Sequence, residues 1–178
     1  MGRSRYKFHE EHYPYFVTST ILEELPLLSN LYIAQILLDQ FVFMQNEKNI
    51  TLYAYVIMPN HFHAVVQGND LANGLRLTKS YAARRSLEHL KVNEHTRWLN
   101  KLKWNKRRHK AGRTFQFWEE GLHPKQLTSV DMVNQKIEYI HQNPVKSGFV
   151  GNPTDWRYSS ARDYLRMEGL IPITLFGG

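Results

Sequence analysis

Cysteine is absent from the 178-residue chain, which excludes disulfides, thiolate metal sites and a cysteine nucleophile. No apolar run approaches the roughly 18 residues a membrane span needs. The segment Met1–Tyr15 is polar and charged and lacks the apolar stretch of a signal peptide. A cytoplasmic protein with no membrane partner is expected. Internal repeats and low-complexity linkers are missing too, so 1–178 reads as a single domain, with 149–178 a C-terminal tail around Trp156, Tyr158 and Tyr164. No GxxxxGK loop is present to cradle a nucleotide's phosphates. Acidic residues are in short supply: 16 Asp plus Glu face 23 Lys plus Arg, a net charge of +7. An excess of that size points to a polyanionic partner such as nucleic acid. Hydrophobic residues at 42% and charged residues at 22% exclude a disordered chain.

The order of elements follows from periodicity. Tyr15–Ile21 is rich in aromatic and β-branched residues and reads as a strand. Leu31–Gln45 reads as a helix, with Leu31, Ala34, Leu38, Phe41 and Val42 at spacings of three and four and Ser29 or Asn30 as its cap. Thr51–Met58 and His61–Gln67 read as antiparallel strands around the Pro59-Asn60 turn. Leu71–Lys91 reads as a second helix and Arg113–Trp118 as a fourth strand. Thr128–Asn143 reads as a third helix with the stripe Val130, Val133, Ile137 and Ile140; it is capped by Thr128 or Ser129 and limited by Pro144. The first six elements match the βαββαβ ferredoxin-like plan. The expected class is α+β: an antiparallel sheet with helices on one face, plus a C-terminal helix.

Two short segments carry chemistry. In Pro59-Asn60-His61-Phe62-His63, strand alternation sends both imidazoles to one face. Two neutral imidazoles there can share a metal ion, although a bare HxH pair is a low-specificity signal and equally describes two unconnected histidines. In Tyr139-Ile140-His141-Gln142-Asn143-Pro144, Tyr139 lies off the helix's apolar stripe, and Asn143, four residues on, shares its face. Such a tyrosine is either a surface residue or a functional hydroxyl; such an asparagine is either a helix-terminal residue or an oxygen ligand for a hard cation. The run from Lys101 to Arg113 has the composition of a nucleic-acid backbone contact, with aromatics able to stack bases. Its candidates are Lys103, Trp104, Lys106, Arg107, Arg108, Lys110 and Arg113; Arg76, Lys79, Arg84 and Arg85 form a weaker patch, and the segment near Arg3 and Arg5 is a further candidate contact.

Together these segments resemble a known family. PNHFHAVV from Pro59, FWEEGLHP from Phe117, YIHQNPVKSGFV from Tyr139 and WRYSSA from Trp156 stand in the order found in the REP-associated tyrosine transposases. These are single-tyrosine HUH relatives of the smallest insertion-sequence transposases. The resemblance spans about Tyr15 to Tyr164. It implies cleavage and rejoining of single-stranded DNA through a 5′-phosphotyrosine, with Tyr139 as nucleophile and His61, His63 and Asn143 as ligands of Mg²⁺ or Mn²⁺. It also implies a hairpin or palindromic DNA substrate and a monomer or homodimer. A free tyrosine hydroxyl titrates near pH 10, so the nucleophile needs activation; the cation is the simplest agent, with His123 and His141 as lesser candidates. Two other readings stay open. One is a non-catalytic binding module that holds single-stranded nucleic acid on a ferredoxin-like sheet, which the missing glycine-aromatic RNA-binding signature disfavours. The other is a metal-dependent hydrolase with water as nucleophile.

Overall fold

A computed structural model describes residues 8, 10–106, 112 and 114–177. Strand β1 (Tyr15–Thr20) leads through two short 3-10 turns into α1 (Leu31–Lys48). The hairpin of β2 (Thr51–Ile57) and β3 (His61–Gln67) follows. Then come α2 (Leu71–Val92), α3 (Thr96–Trp104), β4 (Lys125–Gln126), α4 (Val130–Lys146) and the single-turn α5 (Ala161–Tyr164). The strands form one antiparallel sheet in the order β2-β3-β1-β4, the ferredoxin-like arrangement. Among the described residues no helix is long and apolar enough to cross a membrane.

Strand alternation divides the side chains into two layers. Val17, Phe62, Ala64 and Val66 join Ile33, Leu37, Phe41, Leu71 and Leu75 in the core under α1 and α2. Phe16, Ala54, Val56 and Val65 join Val133, Ile137 and Ile140 in a second core under α4. Each fully buried aliphatic side chain contributes about 1.5–3 kcal/mol, so the stripe of α4 anchors that helix to the sheet. His61 and His63 are in phase with Val65 and belong to the α4 side. Asn30 caps α1 by accepting from the amides of Tyr32 and Ile33, and Ser129 caps α4 by accepting from Met132.

Three sequence expectations are corrected. First, the fourth strand is not at Arg113–Trp118. Arg113 lies outside the described residues, and 114–118 supply only one bridge, Trp118 to Ile21. The outer neighbour of β1 is built in pieces: Leu22 N–H donates to Phe117 O, Glu119 N–H to Thr20 O, and Thr18 N–H to Leu122 O. A regular pairing begins only at Lys125. The reason is local: Gly121 and His123 adopt φ of 87° and 40°, and Pro124 has no amide to give a ladder.

Second, Pro144 does not limit α4, which runs on to Lys146. The helix ends instead at Gly148, whose φ of 75° suits glycine. Phe149 N–H donates to Pro144 O and Gly148 N–H to Val145 O, the paired bonds of a Schellman cap. Asn143 is therefore held inside a continuous helix, one turn past Tyr139. Third, a helix absent from the expected order of elements, α3, leads into the basic run and overlaps its start, and its Trp98, Leu99 and Leu102 pack onto the core under α1 and α2. Its lysines obscured that periodicity.

The described part of the tail, 149–177, runs along the edge of β2 that β3 leaves open. Ile57 N–H donates to Tyr158 O, Ser160 N–H to Tyr55 O and Thr174 N–H to Leu52 O, while Trp156 Nε1–H donates to Ile57 O. These bonds cover an edge that would otherwise expose unpaired backbone groups.

Candidate active site

β3 presents His61 and His63 toward α4, and α4 presents Tyr139 toward β3. The Tyr139 ring stands edge-on to His63 with centroids 5.4 Å apart, and edge-on to Phe16 at 5.8 Å. The His61 and His63 rings are 4.7 Å apart. Tyr139 is 37% exposed, and its hydroxyl has no hydrogen-bond partner among the described residues. Asn143 stands half-buried one turn further along the same face of α4. The structure thus brings His61, His63 and Tyr139 together, with Asn143 beside them on the helix.

Each imidazole has one ring nitrogen engaged in a short hydrogen bond. His61 Nδ1 lies 2.6 Å from Asn60 Oδ1, and His63 Nδ1 lies 2.7 Å from Thr18 Oγ1. An amide oxygen only accepts, so His61 carries its proton on Nδ1. Thr18 Oγ1 can donate or accept, and when His63 Nδ1–H donates to it both rings keep a lone pair on Nε2; neither Nε2 has a protein partner among the described residues. Anchoring one ring nitrogen on an oxygen while the other faces the metal is the usual outer-shell arrangement. Burial pushes His61 below its usual range, opposed by Glu24. His63 is pushed down to about 3, by burial first and then by His61 and Lys136. Both rings are neutral at physiological pH, the form a cation needs.

This donor set fits a divalent cation that accepts nitrogen together with oxygen. Among the described residues no group of three His, Asp or Glu side chains gathers to hold a metal. The remaining ligands would be the Asn143 carboxamide and oxygens of substrate or water.

No protein-family model matches the chain, and no curated protein matches it. Solved structures do. One, a REP-associated tyrosine transposase bound to a REP hairpin, superposes with a TM-score of 0.68 at 20% identity, covering 100% of this chain and 93% of that one. The chain has the fold of a REP-associated tyrosine transposase. A second solved structure, a putative transposase from Deinococcus radiodurans R1, reaches a TM-score of 0.43 at 18% identity over 80% of this chain and 97% of that one.

Within the REP-associated transposase fold, the basic candidates separate into groups. Lys79 donates to Gly121 O at 3.0 Å and lies over the Trp118 ring, tying α2 to the 117–126 segment. Arg76 donates to Asn73 on its own helix. Lys103 and Trp104 are exposed at the end of α3, Trp104 at 79%, and Lys106 is half-buried just beyond. Arg107, Arg108, Lys110 and Arg113 lie outside the described residues, as do Arg3 and Arg5. His123 lines a hollow of about 540 Å³ with Thr20, Glu23, Glu24, Glu119 and Glu120, on the His61 side of the site.

His141 turns away from Tyr139. It is buried, with Nε2 3.0 Å from Ser160 Oγ, and burial pushes it down to about 4 despite Glu138. Its folded value lies below the unfolded 6.5, so its contribution to stability is complete above pH 6.5 and is lost as pH falls toward 4. That loss should be on the order of 3 kcal/mol. Denaturant titrations of the wild type and His141→Gln at pH 7.5 and 4.5 should show a smaller acid loss in the variant. Equal losses would remove His141 as the cause.

Sequence reasoning missed Phe16, Thr18, Asn60 and Lys136. Lys136, three residues before Tyr139, was accessible from helical spacing. Thr18 was not, because only the strand register places it opposite His63.

Proposed function

We propose that the protein is a single-strand DNA endonuclease and strand transferase, a transposase acting on hairpin or palindromic repeat DNA. The observation that carries this reading is the meeting of Tyr139 with the His61–His63 pair on facing elements. The fold it shares with a transposase bound to a REP hairpin supports the choice of substrate.

In the cleavage step Tyr139 Oη bonds to the scissile phosphorus and loses its proton. The bond from phosphorus to the 3′-oxygen breaks, and that oxygen takes up a proton to leave as a 3′-hydroxyl. The phosphate stays on tyrosine as a 5′-phosphotyrosine. The 3′-hydroxyl of another strand reverses the reaction, so the bond energy is conserved and no nucleotide cofactor is needed. His61, His63 and Asn143 would hold Mg²⁺ or Mn²⁺, which when bound would stabilise charge on the phosphate. His63, held by Thr18, and Phe16 set the position of the Tyr139 ring from below.

The test is incubation with labelled single-stranded hairpin oligonucleotides and Mg²⁺ or Mn²⁺. A protein–DNA adduct on a denaturing gel is the expected result; binding without any adduct favours the non-catalytic module.

α3 belongs to the layer under α1 and α2, whereas Tyr139 lies on the other side of the sheet. DNA that reaches both follows the β1–β4 edge. Trp104 is so exposed that its replacement should leave the fold intact. Trp104→Ala should weaken single-strand binding by about tenfold, since a stacked base is worth about 1–3 kcal/mol. Lys103→Ala should make the slope of log K against log salt shallower by about 0.7, the share of one phosphate. Fluorescence anisotropy across a salt series measures both, and unchanged values would place the DNA elsewhere.

A further inference from the structure

Lys136 is half-buried on α4, one turn before Tyr139 and on its face. Its Nζ lies 4.7 Å from the centroid of the Phe16 ring and 5.0 Å from that of Tyr139. A lysine at such a position ordinarily extends its ammonium into water or toward a carboxylate. Here it makes no ion pair among the described residues. Burial and the neighbouring Lys125, opposite Phe16 in the sheet, both disfavour its charge. The positive charge is also felt at His63. An uncompensated cation is therefore held over the nucleophile's ring, next to a second cation, in a site whose histidines are neutral. What is missing from this arrangement is an anion.

We infer that Lys136 binds the scissile phosphate and holds it against Tyr139. The inference rests on the endonuclease reading above and adds to it a residue outside the histidines, asparagine and tyrosine. As Tyr139 Oη bonds to phosphorus and the 3′-oxygen departs, negative charge grows on the non-bridging oxygens. The Lys136 ammonium stabilises that charge from a fixed position, keeping its own protons throughout. The aromatic faces of Phe16 and Tyr139 hold it there before DNA arrives.

The experiment compares wild type, Lys136→Met and Lys136→Arg on a labelled hairpin oligonucleotide with Mn²⁺. Adduct formation is followed under single-turnover conditions at saturating protein. The Kd is measured for each in a Tyr139→Phe background, where no cleavage intervenes. Methionine keeps the packing of the lysine stem and removes the charge. Lys136→Met should slow adduct formation by about 10²-fold while Kd changes less than about threefold, and Lys136→Arg should stay within about tenfold of wild type. The inference is overturned if Lys136→Met reacts within threefold of wild type, if Lys136→Arg is as slow as Lys136→Met, or if Kd accounts for the whole loss. A wild-type protein that binds the hairpin and forms no adduct would overturn the endonuclease reading itself, a result separable from the others because they require a reacting wild type.

Discussion

Tyr139→Phe should form no adduct and cut no DNA, yet bind hairpin DNA and metal as the wild type does. The Tyr139 ring lies off the apolar stripe of α4, is 37% exposed, and has no hydrogen-bond partner on its hydroxyl among the described residues. Removing one oxygen there should change stability by no more than about 0.5 kcal/mol, as for other surface substitutions. In the proposed reaction the same oxygen is the atom that bonds to phosphorus, and no neighbouring hydroxyl is placed to replace it. Tyr55 is fully buried with its hydroxyl pushed up by burial, and Tyr53 is engaged with Gln67. In the wild type, the label should follow the strand on the 3′ side of the cut, and the other fragment should end in a 3′-hydroxyl that a polymerase extends. Cleavage retained by Tyr139→Phe would point to water as nucleophile. An adduct mapped by peptide mass to Tyr53, Tyr55 or Tyr158 would overturn the assignment.

His61→Ala and His63→Gln should each abolish metal-dependent cleavage and lower the affinity for Mn²⁺. Loss of an outer-shell partner of a ligating histidine typically costs about 10–100-fold, and loss of the ligand itself should cost more. Glutamine at 63 avoids opening a cavity at a position that is only 6% exposed. Thr18→Val removes the oxygen on which His63 Nδ1 rests while nearly preserving shape, so it should fall in the 10–100-fold range. Asn143→Ala should have a smaller effect than either histidine variant. Titration with Mn²⁺ and single-turnover cleavage measure these losses; a histidine variant with full activity and unchanged metal affinity would end the metal assignment.

The fold was legible where turn signals bound a run of β-forming residues. The strand at His61–Gln67, set between Pro59-Asn60 and Gly68, has the bounds expected of it, although both of its faces are buried. The expectation failed where two local signals compete. At Pro144 the steric restriction on the residue before proline was read as a stop, but the Schellman cap at Gly148 satisfies the last carbonyls and the helix continues. At Arg113–Trp118 an alternating aromatic pattern imitates a strand, but Phe117 and Trp118 join the core as single residues rather than as a ladder. In α3 Arg97, Lys101 and Lys103 are interleaved with Trp98, Leu99 and Leu102, and only packing against the core makes those apolar positions decisive.

The site divides in the same way. That His61 and His63 share a face, and that Tyr139 and Asn143 share another, follows from the periods of strand and helix alone, because each pair is close in sequence. That the two faces meet was decided by tertiary packing: Val133, Ile137 and Ile140 seat α4 across the sheet and carry Tyr139 over His63. The pairing of β1 with β3 likewise sets Thr18 under His63, and the burial that keeps both imidazoles neutral exists only once α4 has docked. Register and burial arise from contacts between segments far apart in the chain, and such contacts leave no period in the sequence for a local reading to find.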